Sequence, residues 1–198
     1  VHDAGIRHVD DEADHDGAEI LSEMAEDLSI LGNLQDAVIF YNRAIKSEPS
    51  NLRLKAKLGR VYISKKELKP AYNLFTEIYA KDSTNIYWNK QFAYCSFQLG
   101  KRKQAISLYE KVLEANPRDY GTYSNLIHTY SREKEPNQIL AVIDKGLVQF
   151  PGDAELILER ANFYFRTRNY EPAMKDFETY FAAKGDSVYE IVLNYAIS

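Results

Sequence analysis

The chain has 198 residues, a formal net charge of −4 and one cysteine. A single cysteine excludes an intramolecular disulfide and a multi-cysteine zinc site. Without a clustered excess of Lys and Arg, the sequence predicts no nucleic-acid surface, and without a run of about 18 apolar residues it predicts no membrane span. The first residue is Val1, with no signal-peptide core after it, so a removed leader and an excised piece both remain open, as does the cellular compartment.

Residues 1–17 form an acidic lead-in that lacks an apolar period. We expect it to be flexible or loosely docked, with a helix starting at Asp16 as N-cap and Glu19 completing a capping box. The segment Glu12–Glu23 nearly matches the spacing of a calcium-binding loop. The alternative is an acidic helix N-terminus favoured by the helix dipole. Because Glu12 stands where such loops carry Asp, the sequence favours this alternative and predicts no metal site.

After the lead-in, one pattern returns every 34 residues. The clearest copy spans 99–117, with a turn at Gly100, an amphipathic helix and a stop at Pro117. Steps of 34 from Ala105 in both directions reach small or apolar residues: Ala37, Ala71, Ile139 and Ala173. The same steps from Tyr109 reach Tyr41, Phe75, Ile143 and Phe177. The pattern predicts units at 18–51, 52–85, 86–119, 120–153 and 154–187, and a terminal helix at 188–198.

In this period and these columns the chain resembles the tetratricopeptide repeat (TPR) family. The resemblance implies an all-α fold, a right-handed α-solenoid of antiparallel helix pairs with five repeats and a terminal helix. The fourth repeat departs from the family pattern, since Ile127 and Ile139 occupy columns that usually hold small residues and Gly146 replaces the usual Ala. We therefore expect looser or shifted packing around that repeat.

Candidates for catalysis are few. Three of the four histidines lie in the lead-in, and Cys95 lies among apolar residues, which predicts a buried core thiol rather than a nucleophile. The sequence contains no Gly-rich phosphate loop and no zinc-protease motif. The interpretation is a protein that is not an enzyme and that needs no cofactor.

The resemblance implies that partners bind on the concave face, which the first helix of each repeat lines. At the implied positions the two ends are acidic and the centre is basic, aromatic and amide-bearing. In the fifth repeat the positions are Glu155, Glu159, Asn162, Phe165 and Arg166. We expect an extended peptide or a partner helix to bind in the central groove, at Arg53, Lys57, Arg60, Tyr87, Lys90, Tyr94, Asn125 and His128.

Two alternatives to a scaffold that binds a peptide remain open at this point. The apolar residues of segment 188–198 favour self-association, because terminal repeats normally present a polar outer face. The repeats could also be the regulatory arm of a larger protein. The identity of a protein or peptide partner is not readable from the sequence.

Overall fold

A computed structural model describes the backbone of residues 4–184 and the side chains from Gly17 to Ala183. All regular structure in this part of the chain is helical, and the helices follow one another in antiparallel pairs. Their bounds are α1 Ala4–Ile30, α2 Leu34–Ser47, α3 Leu52–Ser64, α4 Leu68–Lys81, α5 Ile86–Gln98, α6 Arg102–Ala115, α7 Tyr120–Glu133, α8 Pro136–Gln149, α9 Ala154–Arg166 and α10 Tyr170–Lys184. No helix among these is long and apolar enough to cross a membrane.

The helix bounds confirm the predicted period. Helices α3, α5, α7 and α9 begin at residues 52, 86, 120 and 154, so that each start lies 34 residues after the previous one. The second helices of the pairs begin at residues 34, 68, 102, 136 and 170, with the same spacing. The all-α fold predicted from the sequence is therefore confirmed in the described residues.

The starts of the first helices are fixed by one repeated N-cap. The side-chain oxygens of Asn51, Asn85, Asp119 and Asp153 each accept a hydrogen bond from the backbone N–H three residues later, at 2.9 to 3.1 Å. Such a cap satisfies a backbone donor that has no partner within the helix, and replacing one with Ala typically costs about 1 kcal/mol.

The turn inside each pair is also repeated, and it demands a left-handed residue. Gly32, Lys66, Gly100, Lys134 and Arg168 all have φ between 60° and 81° and lie 34 residues apart. In each turn the next residue's N–H bonds the carbonyl five residues earlier, at 2.8 to 3.2 Å, which is the Schellman arrangement. Three of the five positions carry long side chains where glycine would be the unstrained choice.

The described chain divides into two units between Val112 and Leu113. In the first unit Ala25, Ala37, Tyr41, Leu58 and Val61 form one buried cluster. The small-residue columns allow helices to approach closely: a methyl group on Gly59 would lie 2.8 Å from the ring of Phe75. In the second unit Ala161 and Ala173 are buried in the same way.

The structure corrects the prediction for the lead-in. Helix α1 begins at Ala4, so Asp16 and Gly17 lie inside it and Asp16 is not its N-cap. No proline precedes Pro49, and each of the two glycines in this helix, Gly5 and Gly17, costs it only about 1 kcal/mol, so nothing in this segment ends the helix. A continuous helix also excludes the loop that a calcium site needs. Residues 188–198, the predicted terminal helix, lie outside the described residues.

The fourth repeat is closely packed at the position where we expected looseness. Ile127 and Ile139 are both buried. A methyl group on Gly146 would lie 2.9 Å from Leu156 Cδ1 and 3.3 Å from Tyr123 Cδ1, so the missing side chain leaves no void. The large side chains of Ile127 and Ile139 in two repeat columns are thus accompanied, at Gly146 in a third column, by a close approach of neighbouring side chains to the backbone.

Candidate functional site

The predicted basic residues of the first unit are partly engaged by the chain itself. Lys57 Nζ donates to Glu26 Oε2 at 2.8 Å and to Ser22 Oγ at 3.2 Å. The Lys57 side chain is 28% exposed and that of Glu26 is 49% exposed. An incoming carboxylate would have to compete with Glu26 for the ammonium group, which lowers the value of Lys57 as an anchor.

Arg60 and Tyr87, two of the predicted residues, lie side by side. The Arg60 guanidinium lies 5.9 Å from the Tyr87 ring centre, within cation–π range. Lys57 and Arg60 also line a pocket of about 200 Å³ together with Tyr41. Burial, reinforced by the charge of Glu26 and opposed by Arg60, raises the pKa of Tyr41 to about 12, so its hydroxyl is neutral at physiological pH.

The remaining predicted residues lie on the expected helices. Arg53 on α3 and Tyr94 on α5 are exposed, while Lys90 on α5 is half-buried. In the second unit Asn125 and His128 lie on α7, and of these two His128 lines a groove. The family register therefore placed the helices correctly, but it did not show which of these side chains already have partners.

A concavity of the second unit, the α7–α9 groove, has a volume of about 650 Å³. Helices α7 and α9 supply most of its walls, and α10 adds one residue. Its lining residues are Tyr120, Ser124, Ile127, His128, Ser131, Glu155, Leu156, Glu159, Asn162, Phe165, Arg166 and Phe177.

One end of this groove is acidic. Tyr120 Oη donates to Asp153 Oδ1 at 3.0 Å, and the same oxygen caps α9. The pKa of Tyr120 is raised to about 12 by burial first, then by the hydrogen bond to Asp153 and by the charges of Glu155 and Glu159. Asp153, Glu155 and Glu159 all act on this phenol, so this end of the groove is acidic.

The other end is aromatic and basic. The Phe165 ring lies 5.8 Å from the Tyr170 ring and 6.5 Å from the Phe177 ring, in edge-on arrangements. Phe165 remains 44% exposed, and Arg166 in the last turn of α9 is exposed beside it. A large exposed ring next to a guanidinium is a composition that protein-binding surfaces favour.

A charge cluster holds α9 in place behind the groove. Arg160 Nε and Nη2 donate to the two carboxylate oxygens of Asp176 on α10, at 2.7 and 2.9 Å. Its Nη1 donates to Asp144 Oδ1 on α8 at 3.1 Å. These bonds raise the pKa of Arg160. One guanidinium thus links three helices and fixes the helix that carries Glu155, Glu159, Asn162 and Arg166.

The chemistry of Cys95 agrees with its predicted place in the core. The residue is fully buried, and burial raises the pKa of its thiol to about 12. A neutral buried thiol is a poor nucleophile. Among the residues whose side chains are described, no group of three or more His, Cys, Asp or Glu could hold a metal ion.

The predicted site left out most of the α7–α9 groove. Glu159, Asn162, Phe165 and Arg166 occupy concave-face positions in the sequence register, so the signal was present. They were left out because the prediction weighted the basic centre of the chain over its acidic ends. Tyr120 was missed for another reason: its role depends on the hydrogen bond to Asp153.

Comparisons with known proteins support the fold. A family model described as anaphase-promoting complex, cyclosome, subunit 3 matches residues 31–112. The type IV pilus assembly protein PilF of Pseudomonas aeruginosa is 22% identical over 172 residues, which cover 84% of this chain and 67% of PilF.

Solved structures are similar over nearly the whole chain. The crystal structure of YrrB, described as a TPR protein with an unusual peptide-binding site, has a TM-score of 0.74 at 18% identity and covers 98% of this chain and 100% of YrrB. MamA from Desulfovibrio magneticus RS-1 has a TM-score of 0.77 at 14% identity and covers 85% of this chain and 96% of that one. Together with the 34-residue helix pairs, these similarities show that the fold of this chain is that of a tetratricopeptide-repeat protein.

Proposed function

We propose that this chain is a non-enzymatic protein-interaction module that holds an extended peptide segment in the α7–α9 groove. The observation that carries the proposal is the groove itself, a concavity of about 650 Å³ with aromatic, amide and charged side chains on its walls. This volume lies within the roughly 300–1,000 Å³ that is typical of ligand sites.

The lining of the groove suits a peptide better than a small apolar ligand. The half-buried Asn162 offers both a donor and an acceptor for a peptide backbone. The exposed ring of Phe165 offers apolar area for a side chain. YrrB, which shares the fold, is described as having a peptide-binding site, and this supports the same class of function here.

The predicted residues of the first unit form a second candidate contact surface. Arg60 and Tyr87 pair there through a cation–π contact. Because Lys57 is already bonded to Glu26, we place this surface second to the groove, with a smaller contribution to affinity.

The test is selection from a random peptide display library on the purified protein. Ser124 is exposed and lines the groove, so Ser124→Trp should fill it, while Ser107→Trp places the same side chain at an exposed position of α6 in the first unit. We expect selected peptides to bind wild type and Ser107→Trp alike and to lose most of their affinity for Ser124→Trp. Circular dichroism confirms that both variants keep their helical content. Equal binding to all three proteins would mean that the peptides bind outside the groove. If no peptide is enriched, the proposed function is wrong.

A further inference from the structure

The charged side chains of α9 divide the groove into two ends of opposite sign. Glu155, Glu159, Asn162 and Arg166 follow one another at intervals of four, three and four residues, and all four line the groove. This spacing places them on a single face of the helix. Carboxylates therefore occupy the end towards the start of α9, the amide lies in the middle, and the guanidinium occupies the end near Phe165.

The two charges are too far apart along the helix to neutralise each other. Glu159 and Arg166 are seven residues apart, whereas side-chain pairs on a helix form at three or four residues. At 1.5 Å per residue their backbones are separated by about 10.5 Å along the axis. A peptide in the extended polyproline II conformation advances about 3.1 Å per residue with three residues per turn, so two of its side chains three residues apart share a face, about 9 Å apart, and can reach both charges.

Helix electrostatics account for only part of this pattern. Glu155 in the first turn and Arg166 in the last turn both complement the dipole of α9. Glu159 lies in the middle of the helix, where the helix dipole does not stabilise its charge, because the effect of the dipole is confined to the first and last turns. Its carboxylate nevertheless lines the groove and acts on the phenol of Tyr120.

Resting on the proposed peptide-binding function, we infer that the groove selects an extended segment carrying two opposite charges. A Lys or Arg side chain of the segment pairs with Glu159, and an Asp or Glu side chain about three residues away pairs with Arg166. The backbone between them lies along Asn162. An apolar side chain next to the acidic residue covers the exposed face of Phe165.

The test uses synthetic fluorescent peptides in a neutral host sequence that contains one apolar residue. Three versions carry charges three residues apart, as Lys and Glu, as two Lys, or as two Glu. We expect wild type to bind the Lys–Glu peptide roughly fivefold more tightly than either like-charged peptide, the scale of one partly exposed ion pair. The preference should weaken as salt screens the charges.

Charge reversal in the protein provides the decisive comparison. Glu159→Lys should transfer the preference to the Glu–Glu peptide, and Arg166→Glu should transfer it to the Lys–Lys peptide. Glu178→Lys is the matched control, because Glu178 is an exposed acid of α10 that does not line the groove. It should leave the order of affinities unchanged.

The outcomes separate this inference from the proposed function. Equal affinity for the three charged peptides, or reversal variants that keep the wild-type order, would overturn the inference while the display-selected peptides still bind. Failure of the display-selected peptides to bind in the groove would overturn the proposed function as well.

Discussion

Removing Arg160 should destabilise the second unit more than removing Asp144, the more exposed of its two partners. Arg160→Ala leaves the carboxylate of Asp176 without its two charge-assisted bonds, in a side chain that is only 10% exposed. Breaking a fully buried pair in this way costs about 3–5 kcal/mol. Because the Arg160 side chain is 28% exposed, water relieves part of this penalty, and we expect about 2–4 kcal/mol.

Two other variants provide a reference for the stability lost in Arg160→Ala. The Asp144 side chain is 50% exposed and accepts one bond of 3.1 Å, so Asp144→Ala should cost about 0.5 kcal/mol. Replacing both members of the buried pair, as Arg160→Met with Asp176→Leu, removes the unpaired charge and should recover most of the stability lost in Arg160→Ala. This recovery distinguishes an unsatisfied carboxylate from a simple loss of packing.

Hydrogen exchange read out by mass spectrometry suits this test, because repeat proteins need not unfold in a single step. Amides of α8, α9 and α10 in Arg160→Ala should exchange roughly thirtyfold faster or more, the equivalent of about 2 kcal/mol. If Arg160→Ala costs no more than Asp144→Ala, or if the double variant is the least stable protein, the reasoning about the buried carboxylate is wrong.

Three further predictions concern single positions. Gly59→Ala should lower the urea midpoint, because its methyl group would lie 2.8 Å from the buried Phe75 ring; overpacking costs about 1–3 kcal/mol against a gain of about 1 in helix propensity, and an unchanged midpoint would contradict this. Lys134→Gly should stabilise the chain by about 0.5–1 kcal/mol, because it relieves a φ of 60°; a lower midpoint would refute it. Cys95 should resist thiol reagents in the native protein at pH 8. Since its pKa rises on folding from 9.0 to about 12, the thiol adds stability that is fully present below pH 9 and is lost as the pH approaches 12. Cys95→Ala should lose less stability over that interval, and an equal loss would contradict this reasoning.

The sequence alone was sufficient to predict the 34-residue period of the fold, because this period depends on local chemistry. The small-residue columns can be read from spacing alone, and the N-caps that the structure shows at Asn51, Asn85, Asp119 and Asp153 recur with the same period. Only some of the left-handed turn residues could be predicted from the sequence. Glycine is the residue expected there, as at Gly32 and Gly100, whereas nothing in the sequence indicates a left-handed conformation for Lys66, Lys134 and Arg168. At those three positions the turn keeps the same hydrogen bond across five residues although the residue is not glycine.

The candidate site was harder to predict because pairing between helices decides which charges are available to a partner. Lys57 and Glu26 are 31 residues apart and meet only when α3 lies beside α1. A list of concave-face positions counts Lys57 as a cation that a ligand could bind. In the folded protein, however, Lys57 is already paired with Glu26. On α9, by contrast, the sequence itself shows which charges do not pair. Glu159 and Arg166 are seven residues apart on one helix, and this spacing alone keeps them from pairing with each other. Sequence spacing is therefore more informative within one helix than between helices, and the single helix α9 is where we place the selectivity of the groove.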